Sequence, residues 1–82
     1  MADYRVEVAF PFEMGTYSER TRKLEELVGK DSDGAGTGDG ERDVSWYFNT
    51  LPGAVNAFQK LHRVKWVTRC TLERDYLNTR RR

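Results

Sequence analysis

The chain predicts an α+β fold: an antiparallel sheet with two helices packed on one of its faces. Three observations lead there. Apolar residues recur every second position at Tyr4–Phe10 and near Val44–Phe48, the signature of half-buried strands. They recur at helical spacing in Tyr17–Val28 and Leu51–Leu61. These segments follow one another as strand, helix, loop, strand, helix, strand, an order that layers helices against a sheet.

In the first strand Tyr4, Val6, Val8 and Phe10 share a face and Arg5, Glu7 and Ala9 the other, with Pro11 as its stop. Thr16 and Glu19 have the spacing of a capping box at the first helix. That helix puts Tyr17, Leu24, Leu27 and Val28 on its inner face, and Gly29 is its expected C-cap. The second strand starts at Asp43, with Val44, Trp46 and Phe48 inward and Ser45 and Tyr47 outward. Thr50 is the expected N-cap of the second helix, with Pro52 in its first turn and Leu51, Ala54, Val55, Phe58 and Leu61 inward. The last strand is expected over Val64–Leu72, with Lys65, Val67, Arg69 and Thr71 outward.

Residues 29–43 read as a glycine-rich acidic loop, GKDSDGAGTGDGERD, holding five of the seven glycines. A ferredoxin-like split βαβ sandwich, βα(β)βαβ, needs a further edge strand in that slot. Residues 30–41 have the length for it but a composition poor for strands, so this edge is expected to be weak or missing. A parallel three-stranded sheet would instead want strands apolar on both faces. The organisation is thus one domain over residues 1–72, with the loop at 29–43, and a basic tail over 73–82.

Charge is unevenly spread. The net is −2 over residues 1–28, −3 over 29–43 and +6 over 44–82, giving +1 in all. A dipolar molecule of this kind steers charged partners. Cys70 is alone, so no internal disulfide and no cysteine-based zinc site forms, and the chain carries no apolar run of membrane-span length. The expectation is a cytoplasmic protein without a cofactor or a structural metal.

The loop's glycines alternate and lead into a strand, so they lack the spacing of a phosphate cradle. Asp31, Asp33 and Asp39 with Gly36 match part of a calcium loop, but Ala35 and Arg42 occupy positions that need oxygen ligands. Catalysis has little to stand on: His62 lies beside Lys60 and Arg63 near a helix end, Ser45 lacks an elbow motif, and Cys70 points inward. Trp46 and Trp66 sit among the inward residues and read as core. Outward Phe12, Met14, Tyr47, Val67, Tyr76 and Leu77 are candidates for contact with a protein.

These features favour a small non-enzymatic protein-binding module, an adaptor or inhibitor. Its partner would meet Arg5, Tyr47, Lys65, Val67 and Arg69 on the open sheet face, or Asp31, Asp33 and Asp39 in the loop. In size and composition the chain is similar to small viral inhibitors encoded by phages and mobile elements, anti-CRISPR proteins among them. The alternative is RNA or single-stranded DNA held by Arg5, Tyr47, Lys65 and Arg69, extended by Arg80, Arg81 and Arg82. A third expectation is self-association through the edge near 30–41.

Overall fold

The computed structural model describes residues 3–74. In chain order these form β1 (Tyr4–Pro11), α1 (Tyr17–Val28), β2 (Gly34–Gly38), β3 (Glu41–Phe48), α2 (Leu51–Leu61) and β4 (Arg69–Arg74). The fold is α+β, with one open antiparallel sheet in the order β2-β3-β1-β4. The long β1 and β3 pair centrally over their full length, from Tyr4 opposite Phe48 to Pro11 opposite Glu41.

Strand alternation decides which face is buried. Val6 and Val8 on β1, opposite Trp46 and Val44 on β3, are inaccessible to solvent, as is Phe10. Leu24 of α1 and Ala54 and Leu61 of α2 complete this core, so both helices cover the same face. Trp46 is the largest fully buried side chain. Its indole N–H donates to the carbonyl of Lys30 at 3.0 Å, which ties the end of α1 to β3. Trp66 meets Phe10 edge-on at 5.2 Å and carries the Arg20 guanidinium on its ring at 5.1 Å, a cation–π contact that closes the rim.

Several local expectations change. The 29–43 segment is not an open loop. Its middle pairs with β3, Gly34 opposite Ser45 through Gly38 opposite Glu41, and Asp39-Gly40 makes a two-residue turn. Both turn residues have positive φ, 53° and 79°, as a hairpin turn of the primed type requires. Asp-Gly at that point is the sequence signal for such a hairpin. Glycine's weak strand propensity is overridden because β3 supplies a long, well-anchored template. The same pairing starts β3 at Glu41 rather than at Asp43.

The last strand is shorter than Val64–Leu72. Residues 64–68 form a turn held by Val67 N–H donating to the Val64 carbonyl and Thr68 N–H donating to the Ala9 carbonyl. Trp66, Val64 and Val67 pack on the core from that turn. Their apolar alternation mimics a strand, but the ladder with β1 begins only at Arg69, and it runs to Arg74, two residues past the expected domain end at Leu72. Thr16 is no capping box: its hydroxyl donates to Glu13 at 3.1 Å, and no side chain caps α1. Leu27, expected inward, is 40% exposed. By contrast Thr50 caps α2 by accepting from Gly53 N–H, and Gly29 ends α1 at φ 92°.

Candidate functional site

Both helices pack on one face of the sheet, and among the described residues no helix covers the other. Across its middle run Gly34 on β2, Ser45 on β3, Glu7 on β1 and Thr71 on β4; one step along lie Gly36, Asp43, Ala9 and Arg69. At one end Tyr47 of β3, Arg5 of β1 and Glu73 of β4 stand side by side. The strands place two cations here, Arg5 and Arg69, against four carboxylates, Glu7, Glu41, Asp43 and Glu73. A face expected to be basic is therefore net acidic.

Its cations are also engaged. Arg5 Nη2 lies 3.0 Å from Glu73 Oε1 and 3.7 Å from Glu7 Oε1. Burial opposes the Arg5 charge, but the Glu7 and Glu73 carboxylates, with hydrogen bonds that Arg5 donates to Tyr47 and Glu73, outweigh it and raise the guanidinium's pKa further. Arg69 Nη2 lies 3.5 Å from Glu41 Oε1, and Thr68 donates its hydroxyl to the Ala9 carbonyl and the Glu41 carboxylate. These are partly exposed ion pairs, one within β1 and two between strands, each worth at most about 1 kcal/mol.

The structure brings Arg5 and Tyr47 together as cross-strand neighbours. Arg69, opposite Ala9, stands four residues further along β1, about 13 Å away at strand rise. Lys65 and Val67 are not on this face at all. Both lie in the 64–68 turn, Lys65 exposed and Val67 partly buried against the core. Arg80, Arg81 and Arg82, like Tyr76 and Leu77, lie outside the described residues.

Nor do the loop aspartates form a group. Asp33 Oδ2 accepts the Tyr47 N–H at 2.7 Å, and Lys30 Nζ donates to the Tyr47 carbonyl at 2.6 Å while resting over the Phe48 ring. Together with Glu25, which accepts the Ser32 N–H and hydroxyl, they strap the chain leaving α1 onto β3. Asp33 is thus structural. Asp39 sits in the hairpin turn, and Asp31 lines an open depression of about 340 Å³ with Arg22, Glu25 and Lys30 at the end of α1. Among the described residues no group of three or more His, Cys, Asp or Glu side chains comes together as a metal-ion cluster. Arg42, at the position where a calcium loop needs its last carboxylate, instead lays its guanidinium over the Tyr17 ring.

Cys70 lies on the helix-side face of β4, and burial pushes its thiol up to about 11. Burial thus favours its neutral thiol form, and it packs against the core from the helix side. Among the described residues no helix is long and apolar enough to cross a membrane.

The acidic residues of the face, Glu7, Glu41, Asp43 and Glu73, escaped the sequence reading as a set. Glu41 was assigned to a loop and Glu73 to a tail. The signal that finds them is register: once Asp39-Gly40 is taken as the turn, Glu41, Asp43, Ser45 and Tyr47 fall on one side of β3. No protein-family model matches the chain, and no curated protein matches it in sequence.

Proposed function

We propose that this chain is a small non-enzymatic protein-binding module, an adaptor or inhibitor, that engages its partner through the β2 side of the open sheet. The strand order, with both helices on one face, further supports reading the βαββαβ chain as a ferredoxin-like split βαβ sandwich, a scaffold whose second face is left free. The observation that carries the reading is the β2 edge. It is an outer strand of five residues, Gly34–Gly38, without a charged side chain or a proline, and it borders an uncovered, charged sheet face. Exposed edges offer unpaired backbone N–H and C=O groups, and strand addition to such an edge is a recurrent mode of peptide recognition.

The nucleic-acid alternative draws less support. It rests on the open face together with the tail arginines Arg80, Arg81 and Arg82, which lie outside the described residues, and on that face Arg5 and Arg69 are paired with carboxylates. Phosphates bind where positive charge is uncompensated.

Affinity capture of the tagged full chain from a host lysate, with and without nuclease, tests the proposal. A discrete protein retained after nuclease and lost with Ala35→Lys, which puts a charge on the edge strand, is the expected result. Recovery of RNA or DNA, with proteins released on digestion, refutes it in favour of the alternative.

A further inference from the structure

The two sheet edges are built differently. The β4 edge carries Arg69, Glu73 and Arg74, charges of the kind that blunt unwanted pairing. The β2 edge is Gly-Ala-Gly-Thr-Gly, and among the described residues no strand pairs with its outer side. Its two faces differ as well. Ala35 and Thr37 point to the helix side and are exposed, whereas Gly34, Gly36 and Gly38 leave the open side bare.

A strand added outside β2 would lie about 4.8 Å from it. Side chains on its open side would look over glycine backbone toward β3. Asp43 is the charged group they would meet: its Oδ1 is 3.5 Å from the point a Cβ on Gly36 would occupy, beside the Ser45 hydroxyl at 3.3 Å from the same point on Gly34, so the carboxylate leans over β2. Asp43 accepts no side-chain hydrogen bond and joins no ion pair among the described residues. Glu41 follows on the same face, opposite Gly38, where it shares the Arg69 guanidinium. Asp43 and Glu41 are two residues apart, the period of a strand, so alternate residues of an added strand would address both.

We infer that β2 receives an extended segment of a partner protein bearing Arg or Lys at alternate positions, whose backbone continues the sheet and whose basic side chains cross the glycine stripe to Asp43 and Glu41. This rests on the binding-module reading and names the partner's chemistry. Charge complementarity selects this occupant over a second copy of the chain. A paired β2 from another copy would bring three open-side glycines and no countercharge. The bare stripe also matters: only a long stem reaches from the added strand to Asp43, and only glycine floors let it lie flat.

The test uses the full ¹⁵N-labelled chain and two capped peptides, one alternating Arg with Val and one alternating Glu with Val. The Arg peptide is expected to shift the amides of residues 34–38 and to bind at least about tenfold more tightly than the Glu peptide. Asp43→Asn should weaken the Arg peptide about fivefold or more, since it removes a charge-assisted partner while keeping its shape. Gly36→Val should weaken it by a similar factor with an unchanged circular dichroism spectrum, because its Cβ makes only ordinary contact and yet blocks the crossing.

Equal affinity for the two peptides, binding by neither, or shifts confined to residues elsewhere would each overturn the inference. So would sedimentation showing a dimer whose amide shifts fall at 34–38. If lysate capture yields a protein that Ala35→Lys loses while neither peptide binds, the module reading stands and this inference alone fails. If capture yields nucleic acid only, the module reading is the one that falls.

Discussion

Adding one methyl group at Gly36 and at Gly40 should move stability in opposite directions. Both substitutions to Ala remove a similar amount of unfolded-chain freedom, about 0.4–1 kcal/mol in favour of the folded state. Neither meets a steric obstacle: a Cβ at Gly36 would stand 3.5 Å from Asp43 Oδ1, an ordinary contact, and one at Gly40 has nothing within 4 Å. The backbone differs. Gly36 is an ordinary strand residue opposite Asp43, whereas Gly40 sits at φ 79° in the turn. An L-residue there loses about 1–2 kcal/mol from its Cβ against the carbonyl. Gly36→Ala should therefore stabilise by about 0.4–1 kcal/mol, and Gly40→Ala should destabilise by up to about 1.6 kcal/mol. The unfolded-state term largely cancels in their difference, which reads the left-handed penalty alone. In a domain of this length each kcal/mol is about 4–8 °C in Tm. Urea unfolding followed by circular dichroism measures both. If the two variants agree within about 0.3 kcal/mol, residues 34–41 are not a hairpin in this register, and the edge on which the functional proposal stands is lost.

Three further outcomes follow from the packing. Trp46→Phe should cost about 2 kcal/mol in urea unfolding, roughly half from the indole bond to Lys30 and half from the unfilled core volume; a loss under about 0.5 kcal/mol would mean the indole is not the anchor described. Thr50→Ala should lower stability by about 0.5–1 kcal/mol through its cap on Gly53, while Thr16→Ala, with no cap to lose, should stay within about 0.5 kcal/mol; the reverse ranking would refute the cap assignment. Cys70 should react with a disulfide reagent more slowly in the native chain than in urea at pH 8. Its thiol is raised from 9.0 to about 11, so the stability it lends is intact below pH 9 and is lost as pH rises through 11; a native rate equal to the unfolded rate at pH 8 would contradict its burial.

Much of the fold was legible in the chain. Period-two apolarity placed β1 and most of β3, helical spacing placed α1 and α2, and Gly29 and Thr50 marked real caps, because these signals are local: each depends on residues within a turn or a strand of one another. The site was less legible. Arg5 and Tyr47 were correctly set on the open face, since parity within one strand fixes the face. Lys65 and Val67 were not, because Val64 and Trp66 reach the core equally well from a turn, in which Val67 packs there too.

By itself, then, the sequence determined an α+β layering, the inward residues Val6, Val8, Phe10, Val44, Trp46 and Leu24, and the uneven charge along the chain. Only the tertiary structure decided the sign of the open face and the state of the glycine segment. Net charge along the chain says which residues are basic, but the electrostatics of a surface depends on which side chains the register sets within a few ångströms of one another. Glu73 meets Arg5 across sixty-eight residues and Glu41 meets Arg69 across twenty-eight. Likewise a run of glycines has little tendency to extend alone. It becomes a strand because β3, anchored by Trp46 and Val44, offers a row of backbone partners, a long-range cause that no local pattern records.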